Sequence, residues 1–169
     1  RWQHTAPGTA LTGIEGLVKV LDQLDGLELK AASWEKEVLP RRVSDYQPAW
    51  LDQLCLSGEY GWARLKPSGR PRQSTTLVQR ALQGSIALFR RDSAALWWKA
   101  PVPSQPLSGL GQRVLEHLEQ RGAAFAADLG TQLARPLSEI TAALWELCRA
   151  GLVAADGFAG LRLLLGNES

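Results

Sequence analysis

The fold is decided by residues 108–151, which read SGLGQRVLEHLEQRGAAFAADLGTQLARPLSEITAALWELCRAG. Apolar residues recur there at helical spacing in three runs, which are separated by Gly122 and Pro136. Ser108 is placed to cap the first run, and the second run spans residues 125–133. Three short helices are therefore predicted in this part of the chain.

The residues that follow, 152–165, contain two apolar runs on either side of Asp156-Gly157. An Asp-Gly pair between apolar runs is a strong signal for a tight β-hairpin. Three helices followed by a hairpin is the plan of a winged-helix domain.

A proline-rich stretch, PVPSQP at 101–106, precedes these helices. Three prolines in six residues exclude a helix or a central strand, so the stretch is interpreted as a linker. The predicted organisation is a first unit over 1–100, a linker over 101–107 and a C-terminal winged-helix domain over 108–169.

The first hundred residues follow a similar order. Helices are predicted over 13–24, 31–39 and 48–57, and strands over 59–65 and 85–90. The predicted fold class is α+β and mostly helical, with two winged-helix-like units. Each unit has three short helices and a β-hairpin, and the first carries a long basic insertion.

Two short segments of the chain share a sequence pattern. Residues 51–58 share Leu, Leu, Cys and Gly, in the same four places, with residues 144–151. Because the match is short and leucine is common, duplication and chance both stay open.

The net charge of +2 is unevenly distributed. Residues 59–108 hold eight basic and two acidic side chains, and no acidic residue occurs between Tyr60 and Arg91. Such a stretch is suited to bind a polyanion, and nucleic acid is the leading partner, although a solvated loop with incidental charge is the alternative. The candidate nucleic-acid-binding residues are one aromatic and seven basic side chains: Trp62, Arg64, Lys66, Arg70, Arg72, Arg80, Arg90 and Arg91.

Seven tryptophans are present. Trp34, Trp50 and Trp145 lie at helical spacing with other apolar residues and are assigned to packing. Trp62 lies within the basic strand and is the candidate for stacking on unpaired bases.

Motifs that carry catalytic chemistry are sparse. The chain has no Gly-Lys pair, and therefore no phosphate-binding loop of the GxxxxGK[ST] type, and no two acidic residues are adjacent. His4, His117, Cys55 and Cys148 are scattered singly, which does not fit a zinc site. We expect no catalytic, cofactor or metal site in this chain.

The cysteines and the apolar runs bear on localisation. Both cysteines lie in apolar helical patterns, which indicates buried reduced thiols and favours the cytoplasm. No apolar run approaches the roughly 20 residues of a membrane span, so no membrane contact is expected. The chain contains no methionine, which we interpret as the mark of a piece of a larger protein.

Two runs, WEKEVLPRRV at 34–43 and YQPAWLDQLCLSGE at 46–59, resemble the bacterial large helicase-related (Lhr) proteins. RWQH at 1–4 and DGFAGLR at 156–162 are similar to the same family. The resemblance implies a superfamily 2 ATP-dependent DNA helicase that moves 3′ to 5′ on single-stranded DNA and is associated with DNA repair.

The same resemblance implies how this chain relates to the helicase motor. ATP and magnesium would be bound by motor domains upstream of this chain, and no motif for them has a matching position here. The chain would be a DEAD/H-associated accessory region that helps to hold the tracking strand. Its implied partners are single-stranded DNA and the motor domains.

Three functions stay open on the sequence. The first is a DNA-binding accessory module, and the second is a structural clamp that packs on the motor domains. The third is a glycosylase-like repair domain using Asp45 or Asp52, because the family's accessory region also resembles winged-helix DNA glycosylases. Helix capping by Asp45 and a solvent-facing position for Asp52 are the simpler interpretations.

Overall fold

One antiparallel sheet joins the N-terminal and C-terminal parts of the chain in the computed structural model, which describes residues 10–65, 84–98, 103 and 105–166. Its strands lie in the spatial order β1-β3-β2-β4: β1 is Glu28–Lys30, β2 is Tyr60–Ala63, β3 is Ser85–Arg90 and β4 is Ala154–Ala155. Trp62 of β2 lies opposite Leu88 of β3 and Ala155 of β4. All of β2 and the middle of β3 are buried, which explains their apolar sequences.

Three helical segments pack against this sheet: α1 is Gly13–Gln23, α2 is Ala31–Ser33 and α3 is Pro48–Leu56. α2 continues as a π-helical turn over Trp34–Val38, in which the backbone N–H of Leu39 donates to the Trp34 carbonyl. The turn buries the Trp34 ring completely, and its indole N–H donates to the Ile86 carbonyl at 3.1 Å. The π-helical turn therefore fixes α2 to the middle of the sheet.

The predicted elements of the first hundred residues are confirmed, with β1 and a short helix α4 (Ala94–Trp97) added. β1 escaped prediction because it has three residues and only one of them is apolar. No helix within the described residues is long and apolar enough to cross a membrane.

The three helices predicted after the linker are also confirmed: α5 is Gly109–Arg121, α6 is Ala126–Leu133 and α7 is Leu137–Arg149. Ser108 caps α5, accepting the Gly111 N–H at 3.0 Å, and its own hydroxyl donates to Glu146 of α7 at 2.6 Å. This cap therefore ties the first of the three helices to the last. Their shared core consists of Val114, Leu129, Ile140, Ala143 and Leu147.

The predicted C-terminal hairpin is wrong. β4 is two residues long, and the chain then forms helix α8 (Phe158–Gly166). The apolar residues after Gly157 are Phe, Ala and Leu, with no β-branched residue among 158–166. Leucine and alanine favour a helix, and the i, i+3 pair Phe158 and Leu161 is buried on one side of it.

β4 and α8 pack with the N-terminal part rather than with the three helices that precede them. β4 pairs with β2, and Phe158 and Leu161 are buried in the same core as Trp34 and Leu51. The mostly helical α+β winged-helix class is thus confirmed, but the described residues of the second unit form no hairpin of their own. The boundaries at 1–100, 101–107 and 108–169 stay a prediction.

Arg162 of α8 joins the C-terminal helix to α2 and α3. Its Nε and Nη2 donate to the Glu35 carboxylate at 2.6 and 2.9 Å. Its Nη1 and Nη2 donate to the Asp52 carboxylate at 2.8 and 2.9 Å. The hydroxyl of Tyr46 donates to the same Glu35 at 2.5 Å. The two carboxylates raise the pKa of Arg162, so the guanidinium is charged throughout the range in which the protein is folded.

Cys55 and Cys148 are both buried and free, as predicted. Burial raises the pKa of Cys55 to about 12 and that of Cys148 to about 11. Across the described part of the chain, no group of three or more His, Cys, Asp and Glu side chains is arranged to hold a metal ion.

Replacing Arg162 by alanine should lower the free energy of unfolding by about 2–4 kcal/mol, because two largely shielded carboxylates would lose their counter-charge. Urea denaturation measures this change. The matched control is Arg135→Ala, which breaks an exposed i, i+4 pair with Glu139 and should cost less than about 0.5 kcal/mol. Equal losses in the two variants would contradict the role given to Arg162.

The two thiols should resist alkylation in the folded protein at pH 8, because their raised pKa values leave almost no thiolate at that pH. Mass spectrometry after iodoacetamide treatment should find both cysteines unmodified without denaturant and fully modified in urea. Rapid modification of the native protein would show that either thiol is accessible.

Candidate nucleic-acid interface

The basic stretch of the sequence connects β2 to β3 at one end of the sheet. Lys66, Arg70, Arg72 and Arg80 lie outside the described residues, so their DNA-binding role stays a prediction. The other four candidates lie on these strands or just beyond them, where the structure fixes their surroundings.

Trp62 is a core residue and not an exposed stacking platform. Its side chain is 4% exposed, and its indole N–H donates to the Gly157 carbonyl at 3.1 Å. Its ring packs against Trp145, with the ring centroids 6.2 Å apart. This packing leaves little of the ring open to a base, and the stacking role of Trp62 stays a prediction.

Arg64 is also buried, with 2% of its surface exposed. Its guanidinium lies against Gly84, so that a Cβ on that residue would overlap it. Burial lowers the pKa of Arg64, and the nearby Glu28 carboxylate opposes this effect. Glu28 also accepts the backbone N–H of Leu65 at 2.7 Å. Arg64 therefore anchors the base of the basic segment and does not reach toward a phosphate.

Arg90 and Arg91 are half-exposed, but each faces an acidic side chain of this chain. Arg90 donates to both carboxylate oxygens of Asp92, at 3.1 and 2.9 Å, and this pairing raises the pKa of Arg90. Arg91 lies 3.8 Å from Asp156. Their charges are partly balanced within the chain, which reduces what they can offer to a phosphate.

A cleft of about 860 Å³ lies between the sheet and the helices α5, α6 and α7. Its floor is aromatic, because Trp62 and Trp145 pack there beside Phe89 and Trp98, whose ring centroids are 6.4 Å apart. The Trp98 indole N–H donates to the Gly151 carbonyl at 2.8 Å, which holds the ring in place. The floor is therefore preformed in the absence of any ligand.

The rim of this cleft carries an exposed ring and charged groups from both walls. Phe125 is the N-cap residue of α6 and is 80% exposed. Arg91 comes from the sheet side, and Arg121 comes from α5, where it donates to Gln132 at 3.3 Å. The remaining ionisable groups on the lining are His117, Asp128, Cys148 and Asp156. The cleft thus combines stacking surfaces with cationic hydrogen-bond donors.

Both carboxylates considered for glycosylase chemistry are occupied. Asp45 accepts the Gly13 N–H through both oxygens, at 2.9 and 3.1 Å, and so caps α1. Asp52 is held by Arg162 and is not the solvent-facing residue that was expected. A general acid or base needs an oxygen within reach of the substrate, so neither residue is assigned a catalytic role.

Sequence reasoning missed the cleft and its residues. Phe125 was predicted only as the first residue of a helix, and no role was predicted for Arg121. The available signal was a large aromatic residue at a helix N-cap, where a polar side chain is the common choice.

Comparison with known proteins places the chain beside large helicases. Residues 1–83 match the family described as "Large helicase-related protein, winged-helix domain". The chain is 36% identical over 168 residues to the "Lhr helicase/ probable uracil glycosylase" of Mycolicibacterium smegmatis. It is 31% identical over 172 residues to the "Lhr helicase/uracil glycosylase" of Escherichia coli. Both alignments cover 98% of this chain, which spans about 10% of the length of either relative.

Changing Gly84 to alanine should lower the free energy of unfolding by about 1–3 kcal/mol, because the new Cβ displaces the buried Arg64 guanidinium. The same change should lower the free energy of unfolding much less when Arg64 is already alanine. Thermal denaturation of the native chain, the two single variants and the double variant measures this coupling. Gly160→Ala is the control, since nothing lies within 4 Å of its added Cβ. Additive effects of the Gly84 and Arg64 changes would contradict the packing.

Proposed function

The chain belongs to the large helicase-related (Lhr) family, and on that premise we propose that it is a DNA-binding accessory domain of an ATP-dependent DNA helicase. Its basic segment, defined as residues 64–91, helps to hold single-stranded DNA during 3′ to 5′ translocation. ATP and magnesium act in motor domains of the same protein, and the whole works in DNA repair in the cytoplasm.

One observation carries this proposal: seven basic and no acidic side chains lie between Tyr60 and Arg91. Affinity for nucleic acid comes first from neutralising phosphates, and each cation that contacts a phosphate releases counterions. Because residues 60–91 contain no acidic side chain, any acid that balances these cations lies elsewhere in the chain, as Asp92 and Asp156 do for Arg90 and Arg91.

The structure supports the proposal by the way in which the segment is anchored. The backbone N–H of Leu65 donates to Glu28, and Arg64 is buried beside Gly84. The residues that flank 66–83 on either side are therefore both held at the sheet. An extension between two antiparallel strands corresponds to the wing of a winged-helix domain, which commonly contacts the nucleic-acid backbone.

The packing also distinguishes the candidate residues that can reach a phosphate from those that cannot. Arg64 and Trp62 are structural, and Arg90 and Arg91 are partly balanced by acids. The phosphate contacts therefore fall to the remaining four, Lys66, Arg70, Arg72 and Arg80.

Changing Arg70 and Arg72 together to glutamate should weaken binding to single-stranded DNA at least tenfold, because two phosphate contacts become repulsive. The slope of log affinity against log salt should also fall by about 1.4, at roughly 0.7 per phosphate contact on a single strand. Fluorescence anisotropy of a labelled oligonucleotide at several salt concentrations gives both quantities.

The control for this experiment is the double variant Arg113→Glu and Arg135→Glu, which has the same change in net charge on exposed residues outside the basic segment. It should keep most of the affinity. Equal losses of affinity in both double variants would show that net charge alone accounts for the effect. Absence of salt-dependent binding by the native chain would favour the alternative, a structural clamp that packs on the motor domains.

A further inference from the structure

We propose that the cleft between the sheet and helices α5, α6 and α7 binds unpaired bases of single-stranded DNA. This inference rests on the proposed function, because it takes nucleic acid as the ligand. It goes further by assigning base contacts to a second site, built from residues outside 66–83.

The size of the cleft fits a ligand of this kind. Its volume of about 860 Å³ lies in the range of sites that enclose small organic ligands, roughly 300–1,000 Å³. One or two nucleotides can enter such a space, whereas a duplex cannot. The hydrogen bonds of Trp62 and Trp98 to the Gly157 and Gly151 carbonyls fix its floor before binding.

The aromatic side chains supply the stacking surfaces. Phe125 lines the cleft and exposes 80% of its surface. Covering such a ring with the flat face of a base removes apolar surface from water, which favours stacking. Trp98 and Trp145 are half-buried and line the same space, so a base that enters meets rings on more than one side.

The charged groups on the rim balance one another. Arg91 and Arg121 stand on different walls, and their partners at 3.8 and 3.3 Å are exposed. Asp128 and Asp156 offset these two cations, and His117 adds a further hydrogen-bonding group. Because the two arginines and two aspartates leave no net charge on the lining, the affinity at this site comes from stacking and depends weakly on salt.

The orientation of α7 explains why the ligand is a single strand. In a helix-turn-helix, the second helix reads duplex DNA by entering the major groove. Here Trp145 and Cys148 of that helix pack on the core of the first unit, and Thr141 and Leu144 line the cleft. The face that would read a duplex is therefore turned toward the sheet, across the cleft.

The test compares three probes of equal length: oligothymidine, an abasic oligodeoxynucleotide with the same number of phosphates, and a duplex. The native chain should bind oligothymidine more tightly than the abasic strand. Phe125→Ala should weaken oligothymidine binding roughly 5- to 150-fold, leave abasic binding unchanged and keep the salt dependence. Leu137→Ala is the control, because this exposed residue lies outside the cleft lining, and it should behave like the native chain.

The outcomes separate this inference from the proposed function. Unchanged binding by Phe125→Ala would overturn the cleft site and leave the basic segment intact. Two results together would support both sites. Phe125→Ala would lose the preference for oligothymidine over the abasic strand, and only the double variant Arg70→Glu and Arg72→Glu would lower the salt dependence. Native binding that prefers bases and lacks salt dependence would support the cleft and overturn the basic segment. Failure of the native chain to bind any probe would overturn both.

Discussion

Arg162 holds α8 against α2 and α3 through paired hydrogen bonds to Glu35 and Asp52, and the last part of the fold follows from that placement. With α8 fixed, Gly157 presents its carbonyl to the indole of Trp62, and Phe158 fills the core behind it. Ion pairs that are shielded from water contribute less to net stability than to the choice of one arrangement, because their geometry admits few alternatives. The guanidinium therefore holds α8 beside the strand β4 that joins the sheet last.

The cleft is a consequence of the same arrangement. β4 can pair with β2 only if the end of α7 comes close to the sheet, and the Trp98 indole bonds to Gly151 at that point. α5 and α6 belong to the separate core around Leu129 and do not follow α7 onto the sheet. The cleft between the two cores is lined by side chains that neither core fully buries, and these include aromatic rings and arginines.

Local patterns predicted most of this fold, and long-range pairing explains what they missed. Helices such as α5 and α7 were predictable because apolar spacing and flanking Gly or Pro define them within one segment. The echoed segments 51–58 and 144–151 both end at a glycine with positive φ, 81° at Gly58 and 74° at Gly151, and lead into strands that pair with each other. Alternation in a strand could not show that Trp62 packs on the distant Trp145, or that Arg64 lies buried against Gly84. A cleft between two separate cores also cannot be predicted from any short stretch of sequence.

The late position of β4 and α8 in the chain also determines when the first core can close. The partners of Trp62 lie about a hundred residues downstream, so this pairing joins parts of the chain that are far apart in sequence. At ribosomal rates of 5–20 residues per second, β2 emerges roughly 5–20 s before the strand that covers it. During that interval an unpaired, apolar strand edge is open to other chains. Nascent-chain chaperones are the cellular machinery suited to shielding such an edge until synthesis passes α8.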